Sequence, residues 1–248
     1  MKSYYHAHES AYKQLKAKGY VGWGDVKNVD ELGDETTKEY LRSTIAENVP
    51  VVSGKRALDV GCGTGTTAFT LAKIGFVVTG IDISETAIQM GRDLAEQQNL
   101  DIQFVAGDVL ELEKLNEKFD VIYDSHCLHC IVFEEDRSKV LAGAKKSLMD
   151  SGIFILDTMV MPEEGRYNPA DKFDTLRLDE NFILWHKTKP SEDRGVIEID
   201  GQHWCAQRRI YPLQKIIDEV AAAGFKVISK RLDPQEGNVS MLRLVLKA

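Results

Sequence analysis

The stretch Arg56-Ala57-Leu58-Asp59-Val60-Gly61-Cys62-Gly63-Thr64-Gly65 constrains the fold more than any other part of the chain. Its apolar start predicts a buried strand, and three glycines at alternate positions predict a turn. From Thr66 to Lys73, Ala68, Phe69, Leu71 and Ala72 form one face of a helix. Strand, glycine turn and helix make the βα unit that opens many parallel α/β sheets. Glycine has no Cβ, so it accepts positive φ and lets a ligand lie against the backbone. The first N–H groups of the next helix lack intrahelical partners and favour a carboxylate or phosphate in the turn.

The spacing departs from the dinucleotide fingerprint, which needs a third glycine where Thr66 stands. Asp59 also precedes the first glycine by two residues, where a dinucleotide site more often has an apolar residue or glycine. Leu58-Asp59-Val60-Gly61-Cys62-Gly63-Thr64-Gly65 resembles the first motif of the class I S-adenosylmethionine-dependent methyltransferases. The resemblance implies that Asp59, Gly61, Cys62 and Gly63 receive the methionine end of that cofactor, with Asp59 holding its amino group.

Later strand ends carry further acids. Phe76 to Ile81 predicts a buried strand ending at Asp82, and Ser84 caps a helix to about Gln98. The interval from the glycines to Asp82 is close to the ~20 residues that precede a ribose-binding acid. Asp82 is therefore expected on the ribose, with Ile83 beside it in the cofactor site; the alternative is an acid that only caps the helix. Ile102 to Val105 is a third strand leading to Asp108 and Val109. The resemblance implies adenine recognition there, against the plainer reading of a turn after a strand. Phe119 to Asp124 is a fourth strand. Beyond it the resemblance puts Asp124 or Ser125 against the cofactor, partly through backbone. It also makes that edge the one facing methyl and acceptor.

His126 is the candidate general base, since a near-neutral pKa suits proton removal from an amine, thiol or hydroxyl. The equal alternative is a neutral histidine bonded within a helix start. Cys127 and Cys130 form a CxxC with interleaved histidines. Zinc needs four ligands, and Cys62 and Cys205 are isolated. Buried packing of small thiols is therefore the reading, with no metal expected. This segment is not of the Asn/Asp-Pro-Pro-Tyr type that methylates amino groups of nucleic-acid bases.

Residues 3–20 predict an amphipathic helix, and Gly22-Trp23-Gly24 a mobile turn. A second helix is expected from about Glu35 to Asn48. Tyr4, Tyr5 and Trp23 are expected to face a ligand from this arm, whereas Tyr12 is expected to dock it on the core. Arg137 to Met149 predicts a helix, Asp150-Ser151-Gly152 a turn and Ile153 to Asp157 a fifth strand. Pro212 to Gly224 predicts a last helix. Strands at Phe225–Ile228 and Met241–Leu246 flank a turn at Asp233-Pro234-Gln235-Glu236-Gly237-Asn238.

The expected fold is α/β: a Rossmann-like three-layer sandwich, with a mostly parallel seven-stranded sheet, an antiparallel C-terminal hairpin and a cap. Residues 1–50 form the arm or lid, 51–161 and 211–248 the core, and 162–210 an inserted cap. The family resemblance covers about 55–160 and 210–248. Within the insertion, strands are expected at Phe182–Trp185 and Val196–Ile199. Acceptor contacts are sought among Tyr167, Trp185, His186, His203, Trp204 and Arg208.

With 248 residues and 43% hydrophobic content, the chain can bury one elaborated α/β domain. A net charge of −8 argues against a large nucleic-acid footprint. No apolar run approaches the ~20 residues that span a bilayer. The start lacks an apolar signal core, and four cysteines show no secreted disulfide pattern, so a cytoplasmic setting is expected. The expected activity is methyl transfer from S-adenosylmethionine to a small-molecule acceptor, without nucleic acid or membrane. The alternatives are a protein or RNA methyltransferase, a cofactor-binding regulatory protein without catalysis, and a nicotinamide dehydrogenase. Thr66 and Asp59 speak against the last.

Overall fold

The computed structural model describes residues 2–162, 167, 169–233 and 239–248, with the backbone alone at Ser3, Tyr4 and Asp171. Five strands run parallel: β1 (Arg56–Val60), β2 (Val77–Asp82), β3 (Ile102–Ala106), β4 (Phe119–Ser125) and β5 (Leu148–Val160). Four later strands are β6 (Leu176–Leu178), β7 (Ile183–Thr188), β8 (Val196–Ile199) and β9 (Gln202–Arg209). They are followed by β10 (Lys226–Asp233) and β11 (Ser240–Lys247). The main sheet has seven strands in the order β10-β11-β5-β4-β1-β2-β3. Strand β11 runs against the other six, pairing antiparallel with both β5 and β10. The order reverses between β1 and β4. A crevice at the carboxyl ends of these strands is where open α/β sheets bind ligands.

The central strands are apolar almost throughout because both faces are covered. Alternate residues go to opposite sides. Ile122, Phe154 and Leu244 pack with α5 (Glu134–Ser147) and α6 (Leu213–Ala222). Val121, Ile155 and Val245 pack with α2 (Glu35–Asn48), α3 (Thr66–Ile74) and α4 (Glu85–Gln97). This is the expected three-layer sandwich. At the burial of Ile122, which is fully enclosed, an apolar side chain of this size contributes about 1.5–3 kcal/mol.

Two local expectations differ. Helix α5 begins at Glu134 rather than Arg137, because Glu134, Glu135 and Asp136 place acids on the positive end of the helix. It ends at Ser147. Met149 belongs to β5, where Asp150 to Gly152 were expected to turn. The pairing jumps from Phe119 with Leu148 to Val121 with Ile153, so the intervening residues bulge without ending the strand. The expected turn at 233–238 falls, beyond Asp233, outside the described residues.

The segment before α6 forms a second, antiparallel sheet in the order β6-β7-β9-β8. Strand β7 extends the expected Phe182 segment to Thr188, and β9 is an additional long strand. The N-terminal helix α1 (Ser3–Ala17) crosses α4 and also touches β9. Its Glu9 accepts from Ser84 Oγ at 2.6 Å and Thr86 Oγ1 at 2.7 Å, so it is pinned to the start of α4. Burial would raise the Glu9 pKa, but these hydrogen bonds outweigh it and hold the group at about 2. No helix among the described residues is long and apolar enough to cross a membrane.

Candidate functional site

The glycine turn leaves β1 with φ of +65° at Gly61, +55° at Gly63 and +101° at Gly65. Only glycine adopts this sequence of conformations without strain. The close approaches are as demanding. A Cβ on Gly61 would come 2.6 Å from Cys127 Sγ, and one on Gly63 would run into the Tyr12 hydroxyl.

Around this turn lie four carboxylates, of which Asp59, Asp82 and Asp124 are buried and Asp108 is half-buried. Asp59 Oδ2 accepts from Ala68 N at 2.9 Å, fastening the first turn of α3 to the end of β1. Asp82 accepts from Gly63 N at 2.9 Å and from Ser84 N at 2.8 Å. Asp108 accepts from Leu110 N at 3.0 Å and from the Tyr5 hydroxyl at 2.6 Å. Asp124 accepts from Cys127 N at 2.8 Å and Leu128 N at 3.2 Å, while its Oδ2 is buried without a partner. Burial pushes the Asp59 carboxyl well up, with Asp124 and Asp82 adding like-charge repulsion. Burial likewise raises Asp124 to about 7. Among the described residues, no lysine or arginine forms an ion pair with Asp59, Asp82 or Asp124.

These groups border a cavity of about 630 Å³. Asp59, Gly61, Cys62, Gly63, Asp82, Ile83, Asp108, Val109, Ser125 and His126 all line it, as do Tyr5 and Trp23. Asp124 lies beneath the wall rather than in it, because its carboxylate is turned into the Cys127 backbone. The Tyr4 side chain lies outside the described residues.

Trp185 and Trp204, expected at an acceptor, are instead packing residues. They are 7% and 9% exposed and join the core between the two sheets. Trp185 Nε1 donates to Asp179 Oδ2 at 2.9 Å, and Arg177 and Lys187 flank the Trp204 ring. Large rings on the inner face of a sheet that docks on a core have more apolar area to bury there than in a wet cavity. His203 pairs instead with Glu198 at 3.4 Å. His186 and Arg208 do reach the cavity.

His126 follows β4 with φ of +70°, a left-handed conformation uncommon outside glycine. Its N–H donates to Asp157 O at 2.9 Å, and its Nε2 stands 3.6 Å from Asp157 Oδ1. Burial alone would lower the imidazole pKa, but the Asp157 carboxylate outweighs it and raises it. Asp157 is itself fixed by Arg243 Nε at 2.9 Å. The turn carrying these groups is held from behind. Arg137, fully buried, donates to Leu128 O and forms two 2.6 Å bonds with Glu219.

Several site residues were not anticipated. Tyr12 is buried as the expected docking residue would be, yet its hydroxyl also rests on Gly63 and accepts from Trp23 Nε1 at 2.8 Å. His8 and Cys130 meet on the cavity wall. Burial would raise the Cys130 thiol, but His129 and His8 outweigh it and hold it well below the usual thiol range. The available signal was spacing: Tyr5, His8 and Tyr12 share one face of α1. Among the described residues, no group of three or more histidine, cysteine and acidic side chains is arranged to hold a metal.

The family model for a methyltransferase domain matches residues 52–215. The chain belongs to the class I S-adenosylmethionine-dependent methyltransferases. A ubiquinone biosynthesis O-methyltransferase of Pasteurella multocida is 33% identical over 204 residues, covering 78% of each chain. The enzyme of the same name from Coxiella burnetii is 32% identical over 119 residues, and there the chain spans only half the relative's length. A crystal structure of an S-adenosylmethionine-dependent methyltransferase from Clostridium acetobutylicum has a TM-score of 0.64 at 16% identity, covering 98% of each chain. That last likeness is one of fold. The site fits the family cofactor: among the described residues Asp59, Asp82 and Asp124 pair with no lysine or arginine, and the cofactor carries an ammonium and a sulfonium.

Proposed function

We propose that this protein transfers the methyl group of S-adenosylmethionine to a small-molecule acceptor, in the cytoplasm. The observation that carries the reading is the set of buried carboxylates around a glycine turn that no lysine or arginine neutralises. Burying such charge without a counterion is unfavourable, and a cationic ligand removes the penalty. The names of the Pasteurella and Coxiella relatives support a small acceptor. The walled cavity of about 630 Å³ supports it too. Four free cysteines, all of them on the cavity wall among other residues, suit a reducing compartment.

In this reading Asp59 holds the amino group of the cofactor and Asp82 the ribose hydroxyls. Both Asp82 oxygens already accept one backbone hydrogen bond, and each keeps a lone pair for a hydroxyl. Asp108, Ile83 and Val109 receive the adenine, and Ser125 lies beside the reacting centre. When bound, the cofactor supplies an electrophilic methyl group. The protein aligns the acceptor and excludes water. His126, oriented by Asp157, takes the acceptor proton. Residues 1–50 act as the lid, through Tyr5 and Trp23, and 162–210 as the cap over a core of 51–161 and 211–248.

The test is incubation with methyl-labelled S-adenosylmethionine and pools of small hydroxyl, amine and thiol compounds. The expected result is S-adenosylhomocysteine formed in step with one labelled product. Cofactor binding with no transfer to any pool, or transfer only to protein or RNA, would contradict the small-molecule assignment.

A further inference from the structure

The arginines buried near the site are saturated by protein partners. Arg137 is held by Glu219 and by main-chain carbonyls. Arg209 donates to Val132 O at 2.6 Å, Glu134 at 2.9 Å and the Tyr211 hydroxyl at 2.6 Å. Arg243 is bound by Asp157 and Asp233. Arg208 differs. Its Nε is buried with no hydrogen-bond partner, and among the described residues no carboxylate pairs with its guanidinium.

Backbone geometry aims this side chain. Ala206 pairs with Trp185 and Arg208 with Leu184, so Gln207 is an extra residue that breaks the alternation of β9. Bulges of this kind redirect a side chain. Here Ala206 stays on the Trp185 face that packs in the main core, and Arg208 is turned to the Leu184 face and lines the cavity. Its charge is felt at His8, His129 and Tyr167, and β9 touches both α1 and the Leu128–Cys130 turn. The guanidinium therefore faces the place where arm, turn and cap converge.

Asp59, Asp82 and Asp108 line the cavity near the glycine turn, whereas His186 and Arg208 line it from the cap strands. A planar guanidinium whose Nε has no protein partner and which pairs with no carboxylate among the described residues matches an oxyanion in a bidentate fork.

Resting on the methyltransferase reading, we propose that the acceptor is an anion bearing a carboxylate or another small oxyanion, and that Arg208 binds that group. An acceptor held there extends its nucleophile toward Ser125 and His126. Arg208 is thus a specificity residue and takes no part in the cofactor site.

The test uses the full chain and a set of aromatic and aliphatic monocarboxylates, each paired with its neutral carboxamide. Binding is read by ligand-observed NMR in the presence of S-adenosylhomocysteine, for wild type, Arg208→Gln and Arg208→Lys. Wild type should bind at least one carboxylate ten-fold or more tighter than its amide. Arg208→Gln should erase that preference, and Arg208→Lys should keep part of it. Thermal unfolding and S-adenosylhomocysteine affinity of the variants should match wild type. Equal binding of acids and amides, absence of carboxylate binding, or a preference that survives Arg208→Gln would overturn the proposal. So would loss of folding in both variants, which would make Arg208 structural. Failure of the methyltransferase reading shows separately, as absence of S-adenosylmethionine binding to wild type, and the carboxylate comparison can still be made without it.

Discussion

Asp82 Oδ2 accepts a 2.9 Å hydrogen bond from Gly63 N, so the acid that ends β2 braces the glycine turn that follows β1. The same carboxylate orders Ser84 at the start of α4. Asp82 thus joins two loops, and in the proposed function it also offers its remaining lone pairs to a ribose. Asp82→Ala should weaken S-adenosylmethionine binding by at least ten-fold and lower stability by about 1–3 kcal/mol. Calorimetry and urea unfolding separate the two effects. Unchanged cofactor affinity would contradict the ribose assignment.

Asp124 is held at about 7 by burial, against an ordinary value of 3.8. Between those values the folded protein keeps a proton that the unfolded chain releases. Its contribution to stability is full below the ordinary value and is lost as pH rises through about 7. Asn at this position keeps an oxygen for Cys127 N and Leu128 N and carries no charge. Urea unfolding at pH 5 and pH 8 should show Asp124→Asn losing less stability than wild type over that interval, by up to a few kcal/mol at about 1.36 kcal/mol per pKa unit. Parallel losses would contradict the account.

His126 must be neutral to accept a proton, and Asp157 raises its pKa. Activity should therefore fall as pH drops through a value above that of a free histidine. His126→Ala should abolish this limb and lower kcat by about 10²–10⁴-fold if proton removal limits turnover. A modest loss with an unchanged pH profile would assign the rate to alignment instead.

Arg137 and Glu219 form a bidentate pair behind the His126–Cys130 turn. Removing one partner leaves the other charge poorly solvated. Arg137→Ala should destabilise the fold by about 3 kcal/mol or more. The Leu128 carbonyl also loses its donor, so catalysis should suffer beyond the change in melting temperature. Wild-type activity in the folded fraction would show that the turn does not need this anchor.

The central βα units were legible because their signals are local. Glycines at 61, 63 and 65 meet a backbone demand that few sequences satisfy, and β2, β3 and β4 are largely apolar runs with an acid at or just beyond the end. The arm was harder. Tyr5, His8 and Tyr12 look like the face of an ordinary amphipathic helix until α1 is seen against Gly63 and Asp108. The cap misled through Trp185 and Trp204, whose rings fill the seam between sheets. Arg208 reaches the cavity because of an extra residue in β9, and a one-residue shift in pairing leaves no mark on composition or periodicity. Asp124 sits in register with the other acids, yet its carboxylate turns inward to satisfy two backbone donors.

Buried acids around the glycine turn that pair with no lysine or arginine suit a cofactor bearing an ammonium and a sulfonium. Calorimetric titration of the purified protein with S-adenosylmethionine, S-adenosylhomocysteine and NAD tests this central claim most directly. The account predicts binding of both adenosyl compounds and none of NAD. Binding of NAD alone, or of no adenosyl compound, would contradict it.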